Sequence, residues 1–123
     1  MIQAVYGRKA TFALELMASR VDLQGNTIEY EYCPSQTDII RVSLKGKDYL
    51  QNMDVLKRDN VLHLVWTPLR KGIYYLDVRI ITYEGVRMYA NLEEPIEVIR
   101  WHQVPEGEEV ERNLAFKLNL KRY

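Results

Sequence analysis

Cysteine, histidine and phenylalanine are scarce in this 123-residue chain, present as one, two and two copies. A lone Cys33 cannot close an internal bridge, so a disulfide-stapled scaffold is excluded. It precedes Pro34 at the end of an apolar alternation and reads as a small half-buried residue rather than a reactive thiol. His63 and His102 have no second His or Cys at a metal-like spacing, which removes the usual zinc frames and leaves two surface or rim residues. The six glycines are isolated, so there is neither a G-x-G-x-x-G nor a P-loop to cradle phosphate. Net charge is also missing: 17 basic residues match 17 acidic ones. No global field draws the chain to nucleic acid or an anionic membrane, and neither is expected as a partner. No apolar run approaches the roughly 20 residues of a membrane-spanning helix. The N-terminus lacks a basic region followed by an apolar core and a cleavage site, so synthesis and retention in the cytoplasm are expected. Apolar positions at helical spacing and internal repeats are absent too.

What the chain has is alternation. Trp66 to Ile80, WTPLRKGIYYLDVRI, passes from a Pro-containing corner through Gly72 into a strand. Tyr74, Leu76, Val78 and Ile80 fall on one face, Tyr75, Asp77 and Arg79 on the other. A Tyr two residues before an inward apolar position, just after a corner, is the arrangement in which immunoglobulin-like sandwiches bond a Tyr hydroxyl to upstream backbone. Tyr74 and Gly72 are therefore the expected structural corner. Ala10 to Met17 alternates with Phe12 and Leu14 inward, and Thr27 to Tyr32 puts Ile28, Tyr30 and Tyr32 on the core side against Glu29 and Glu31. Further strands are expected over Asp38 to Leu44, Val61 to Trp66, Val86 to Ala90, Pro95 to Trp101 and Asn113 to Leu120, with an irregular edge over Asp48 to Val55. Tyr83-Glu84-Gly85 reads as a hairpin turn. Ile99 and Trp101 sit on a nominally outer face, which implies that something covers it. Leu114, Phe116, Leu118 and Leu120 form a full apolar face that arrives after the sandwich is complete. The expected class is all-β: an immunoglobulin-like antiparallel sandwich of about seven or eight strands over residues 1–103 with an N-terminal arm, then a C-terminal extension, 104–123, with one strand.

A reaction centre is harder to find. Ser19, Ser35 and Ser43 lack the strained elbow or neighbouring base of a nucleophile. Glu93-Glu94 and Glu106, Glu108 and Glu109 lack calcium-loop spacing and read as solvated loops. The nine tyrosines raise sugar stacking as a possibility, with Tyr75, Tyr83 and Tyr89 as the surface candidates. Basic pairs such as Arg70-Lys71 and Lys121-Arg122 keep sheet edges soluble. No catalytic residue, cofactor or metal is expected, nor a small-molecule ligand.

The strand ATFALEL, the turn with Gly25, the strands DIIRVSL and RDNVLHLVW, the stretch LRKGIYYLDVRI, the turn YEGVRMYA and the strand PIEVI together resemble the immunoglobulin-like N-terminal domain of tailed-phage baseplate and tail-fibre proteins. The resemblance covers roughly residues 8 to 100. It implies a non-enzymatic virion adaptor, assembled in the bacterial cytoplasm, whose partners are other virion proteins and copies of itself. Partner contacts are then expected on Leu114, Phe116, Leu118, Leu120, Ile99 and Trp101, and Phe116→Asp would abolish assembly while sparing the fold. A carbohydrate-binding or adhesion module is the alternative.

Overall fold

Period-two alternation becomes twelve strands in the computed structural model, which describes residues 1–123. They are β1 (Ile2–Val5), β2 (Ala10–Val21), β3 (Thr27–Glu31), β4 (Ile39–Gly46), β5 (Tyr49–Met53), β6 (Leu56–Arg58), β7 (Val61–Trp66), β8 (Gly72–Ile81), β9 (Arg87–Asn91), β10 (Ile96–Ile99), β11 (Arg112–Asn119) and β12 (Lys121–Arg122). A 3₁₀ turn at Trp101–Gln103 is the only helical element. The first sheet has the order β1, β10, β8, β4, β5, with β9 also beside β8 and β12 beside β9. The second runs β11, β2, β7, β6, with β3 on β2. The protein is an all-β sandwich.

Its core is the set of inward positions. Phe12, Leu14 and Leu16 of β2 and Leu62, Leu64 and Trp66 of β7 belong to the same buried cluster as Val42, Leu44, Tyr74, Leu76, Val78 and Ile80 of the first sheet. Tyr74 pins one end as its spacing predicts. Its hydroxyl donates to the Arg70 carbonyl at 2.8 Å, and its ring meets Trp66 edge-on at 5.2 Å and Tyr49 at 5.6 Å. Gly46 of β4 is part of that corner, since a Cβ there would lie 2.9 Å from Tyr74 Cε1. At the other end Gly85, with φ of 87°, closes the β8–β9 hairpin.

Strands β9 and β10 both run antiparallel to β8, as one long strand interrupted at Glu93-Glu94-Pro95, where the register shifts. Pro95 has no ladder donor, which favours the break there. Each end of the chain then adds a parallel strand. β1 lies parallel to β10 in the first sheet, and β11 lies parallel to β2 in the second, from Arg112 opposite Ala10 to Asn119 opposite Met17. Beyond Leu120 the chain crosses back, and β12 pairs with β9.

Four expectations change. The strand Asn113 to Leu120 is no appendage: as β11 it completes the second sheet of its own domain, so no seam falls at residue 103. The strand count is twelve, because β6 and β12 are only three and two residues long, too short to show alternation, and the N-terminal arm pairs with β10 as β1. Ile28 and Tyr30 of β3 are exposed rather than inward, because β3 pairs only with Met17–Val21 of β2, beyond the stretch paired to β7. Only Tyr32, just past β3, returns to the core, donating a 2.8 Å hydrogen bond to Asp38. Cys33 is exposed, since it lies in the loop after β3 instead of ending a core strand.

Candidate functional site

The residues expected to hold a partner separate into three groups. Leu118 and Leu120 are 3% and 7% exposed inside this domain's core, and Leu114 and Phe116 pack against it, Phe116 lying 6.4 Å from the Phe12 ring. Their apolar face is taken up in cis, so these four are not a free partner surface. Ile99 is also buried: it sits opposite Val5 of β1, off the main cluster, where the parallel β1–β10 pair closes the edge of the sheet. Trp101 alone is open, 68% exposed at the start of the 3₁₀ turn. Tyr74 and Gly72 occupy the structural corner, with Gly72 at φ of 136°.

Two surfaces remain. One is the β2–β3 hairpin. From Ser19 to Glu31 every residue except Asp22 is exposed, and Val21, Leu23, Ile28 and Tyr30 are large apolar side chains in water. Its tip is held by Asp22, whose Oδ1 accepts from the backbone N–H of Gln24 and Asn26 at 2.9 and 2.8 Å. A two-stranded ribbon has little stability of its own.

The other is the outer face of the first sheet. The ladder places Ser43 of β4 opposite Asn52 of β5 and Asp77 of β8, and Asp77 opposite Asn91 of β9, so a polar row crosses four neighbouring strands. Ser43 donates to Asn52 at 2.9 Å, and Asn91, with its amide nitrogen turned inward, donates to Asp77. Asp77 is mostly covered and also takes Arg79 at 3.1 Å and Lys45 at 3.9 Å. The next row along brings Arg41 directly opposite Arg79, which is in turn opposite Tyr89. Arg87 lies one pleat further, beside Ile81 and Ile39. No carboxylate lies within ion-pair distance of Arg41 or Arg87. Tyr123, just past β12, bends over this face and meets the Tyr89 ring at 4.9 Å. It divides two clefts: one of about 450 Å³ lined by Lys45, Tyr75, Asp77, Tyr89 and Asn91, the other of about 360 Å³ lined by Ile39, Arg41, Ile81 and Arg87, with Arg79 common to both.

Tyr75 and Tyr89 of the sugar-stacking candidates thus come to one cleft, whereas Tyr83 stands alone at the β8–β9 turn. Alternation showed that Asp77, Arg79 and Arg41 point outward. It could not show that they share a face with Asn91 and Tyr123, which only the ladder register brings there. His63 is exposed on the outer side of β7 and His102 on the 3₁₀ turn. Ser35 is tied into a turn with Asp38 and Thr37. No group of three or more His, Cys, Asp or Glu is gathered as a metal site. Comparison with protein-family models, curated proteins and solved structures returns no match.

Proposed function

We propose that the chain is a non-enzymatic assembly module, a structural adaptor of a tailed-phage or prophage particle that joins neighbouring subunits, copies of itself among them. The β2–β3 ribbon carries this reading. It extends beyond the stretch of β2 that β7 covers and exposes Val21, Leu23, Ile28 and Tyr30, side chains that gain only when another surface removes them from water. The strand-and-turn order that resembles immunoglobulin-like phage domains supplies the rest. Light scattering on the full chain across a concentration series tests it. A concentration-dependent oligomer is expected, and Val21→Lys with Leu23→Lys should return it to monomer without moving the thermal midpoint. A wild-type chain that stays monomeric throughout sinks the self-joining role.

The outer face of the first sheet favours a second reading, a carbohydrate-binding module. Tyr75, Tyr89 and Tyr123 surround a cleft with Asp77 and Asn91 at its floor, which pairs apolar ring faces with donors and acceptors suited to hydroxyl groups.

A further inference from the structure

The outer face of the first sheet carries an arrangement that its own stability does not explain. Like charges directly opposite on adjacent strands are destabilising, yet Arg41 faces Arg79 across the β4–β8 ladder, with Arg87 on the next strand lining the same cleft. The whole chain has no net charge, but the side chains lining these two clefts set Arg41, Arg79, Arg87 and Lys45 against one carboxylate, Asp77, while Glu97 of the same face stands outside them on β10. Asp77 is already engaged by Arg79 and Lys45, which leaves Arg41 and Arg87 with fork-shaped donors and no acceptor.

We propose that this face binds an acidic saccharide, with its carboxylate or sulfate group on Arg41, Arg79 and Arg87 and a neighbouring sugar ring in the cleft of Tyr75, Asp77, Tyr89 and Asn91. The inference rests on the carbohydrate reading and names its ligand class. A guanidinium matches a carboxylate or sulfate edge with two parallel hydrogen bonds. Pyranose C–H groups are weakly positive and suit the negative face of a tyrosine ring, and Tyr123 stands where the two clefts meet. Together these clefts offer about 450 and 360 Å³, room for a short oligosaccharide segment.

A basic face with tyrosines also fits single-stranded nucleic acid, where bases stack and phosphates meet cations. Asp77 decides against it. A backbone with a charge on every nucleotide would bring a second phosphate against that carboxylate, whereas a saccharide can set its one charged group on the arginines and an uncharged ring, with its hydroxyls, beside Asp77. Asn91 beside it turns its amide N–H groups to Asp77 and the Ala90 carbonyl, which leaves its side-chain oxygen to accept from a sugar hydroxyl.

An array of neutral, uronic-acid, sialylated and sulfated glycans tests the proposal on the full chain, followed by calorimetry with the best acidic hit, its neutral counterpart and a dT oligomer. Acidic glycans should be retained, and the neutral counterpart should bind at least about tenfold more weakly, as expected for loss of one charge-assisted contact. Arg41→Gln should weaken binding by a similar factor while leaving the thermal midpoint unchanged or raised, because it relieves the Arg41–Arg79 repulsion. Tyr123→Ala should also weaken binding. Retention of neutral glycans only, or an unaffected Arg41→Gln variant, overturns the acidic assignment and leaves the carbohydrate reading standing. No glycan retained overturns both, and tighter binding of the dT oligomer replaces them with nucleic acid.

Discussion

At the scale of single residues, the Tyr74 corner is where local packing can be read most directly. Its hydroxyl reaches the Arg70 carbonyl across the turn that Pro68 and Gly72 shape, while its ring is wedged between Trp66 and Tyr49. Tyr74→Phe keeps the ring and loses the hydrogen bond, so it should cost about 1 kcal/mol in a denaturant melt. Gly46→Ala should cost more, about 1–3 kcal/mol, because the new methyl meets a ring that is itself packed on two sides. Combining Gly46→Ala with Tyr74→Leu should give less than the sum of the two losses. Tyr32 and Tyr74 share a second property: burial raises the pKa of each, and at Tyr32 the Asp38 carboxylate that accepts its hydrogen bond adds to the rise. The fold therefore favours the neutral phenols. Below about pH 10 both states hold these protons and the full stability is present; above it the unfolded chain ionises first and stability falls as pH rises. Thermal midpoints measured from neutral to strongly alkaline pH should show that decline, and the Tyr32→Phe chain should show a shallower one.

At the scale of strands, alternation was legible wherever a strand has a sheet beneath it. Leu62, Leu64 and Trp66, or Leu76, Val78 and Ile80, face inward as their period requires. The same period misplaced Ile28 and Tyr30, because alternation reports that two faces differ and not that a second sheet lies opposite one of them. The outer-face cleft stayed hidden for a related reason. Arg41, Asp77, Asn91 and Tyr123 are far apart in the chain, and no local signal specifies which strands neighbour which. Strand β11 shows the consequence most clearly. Its apolar face was evident, but its partner β2 lies about a hundred residues away, and only the fold shows that they pair in cis. The expected effect of Phe116→Asp therefore reverses. Placing a carboxylate against Phe12 and the core should destabilise the isolated domain severely, by several kcal/mol, and abolish the cooperative thermal transition. Leu118→Ala, a cavity with no charge, should cost about 2–5 kcal/mol and leave a measurable transition.

At the scale of the whole molecule, the two chain ends act as a clasp. β1 runs parallel to β10 in the first sheet and β11 parallel to β2 in the second, and β12 returns to the first sheet beside β9, so β11 and β12 tie the two sheets together. Loop-closure entropy must be overcome before such distant pairings contribute, which places the domain among the slower, millisecond-to-second folders. It also makes the sandwich one cooperative unit. A separable extension at 104–123 would open locally, and its amides would exchange well ahead of the rest. Pairing of β11 along β2, with Leu118 and Leu120 in the core, predicts instead that the β11 amides bonded to β2 are protected to the same free energy as those that bond β2 to β7. Native-state hydrogen exchange resolved by residue measures this directly. Protection of β11 lower than that of β2 by more than about 1 kcal/mol would mean that the clasp opens on its own. In that case the terminal strand would again be available to a neighbouring subunit.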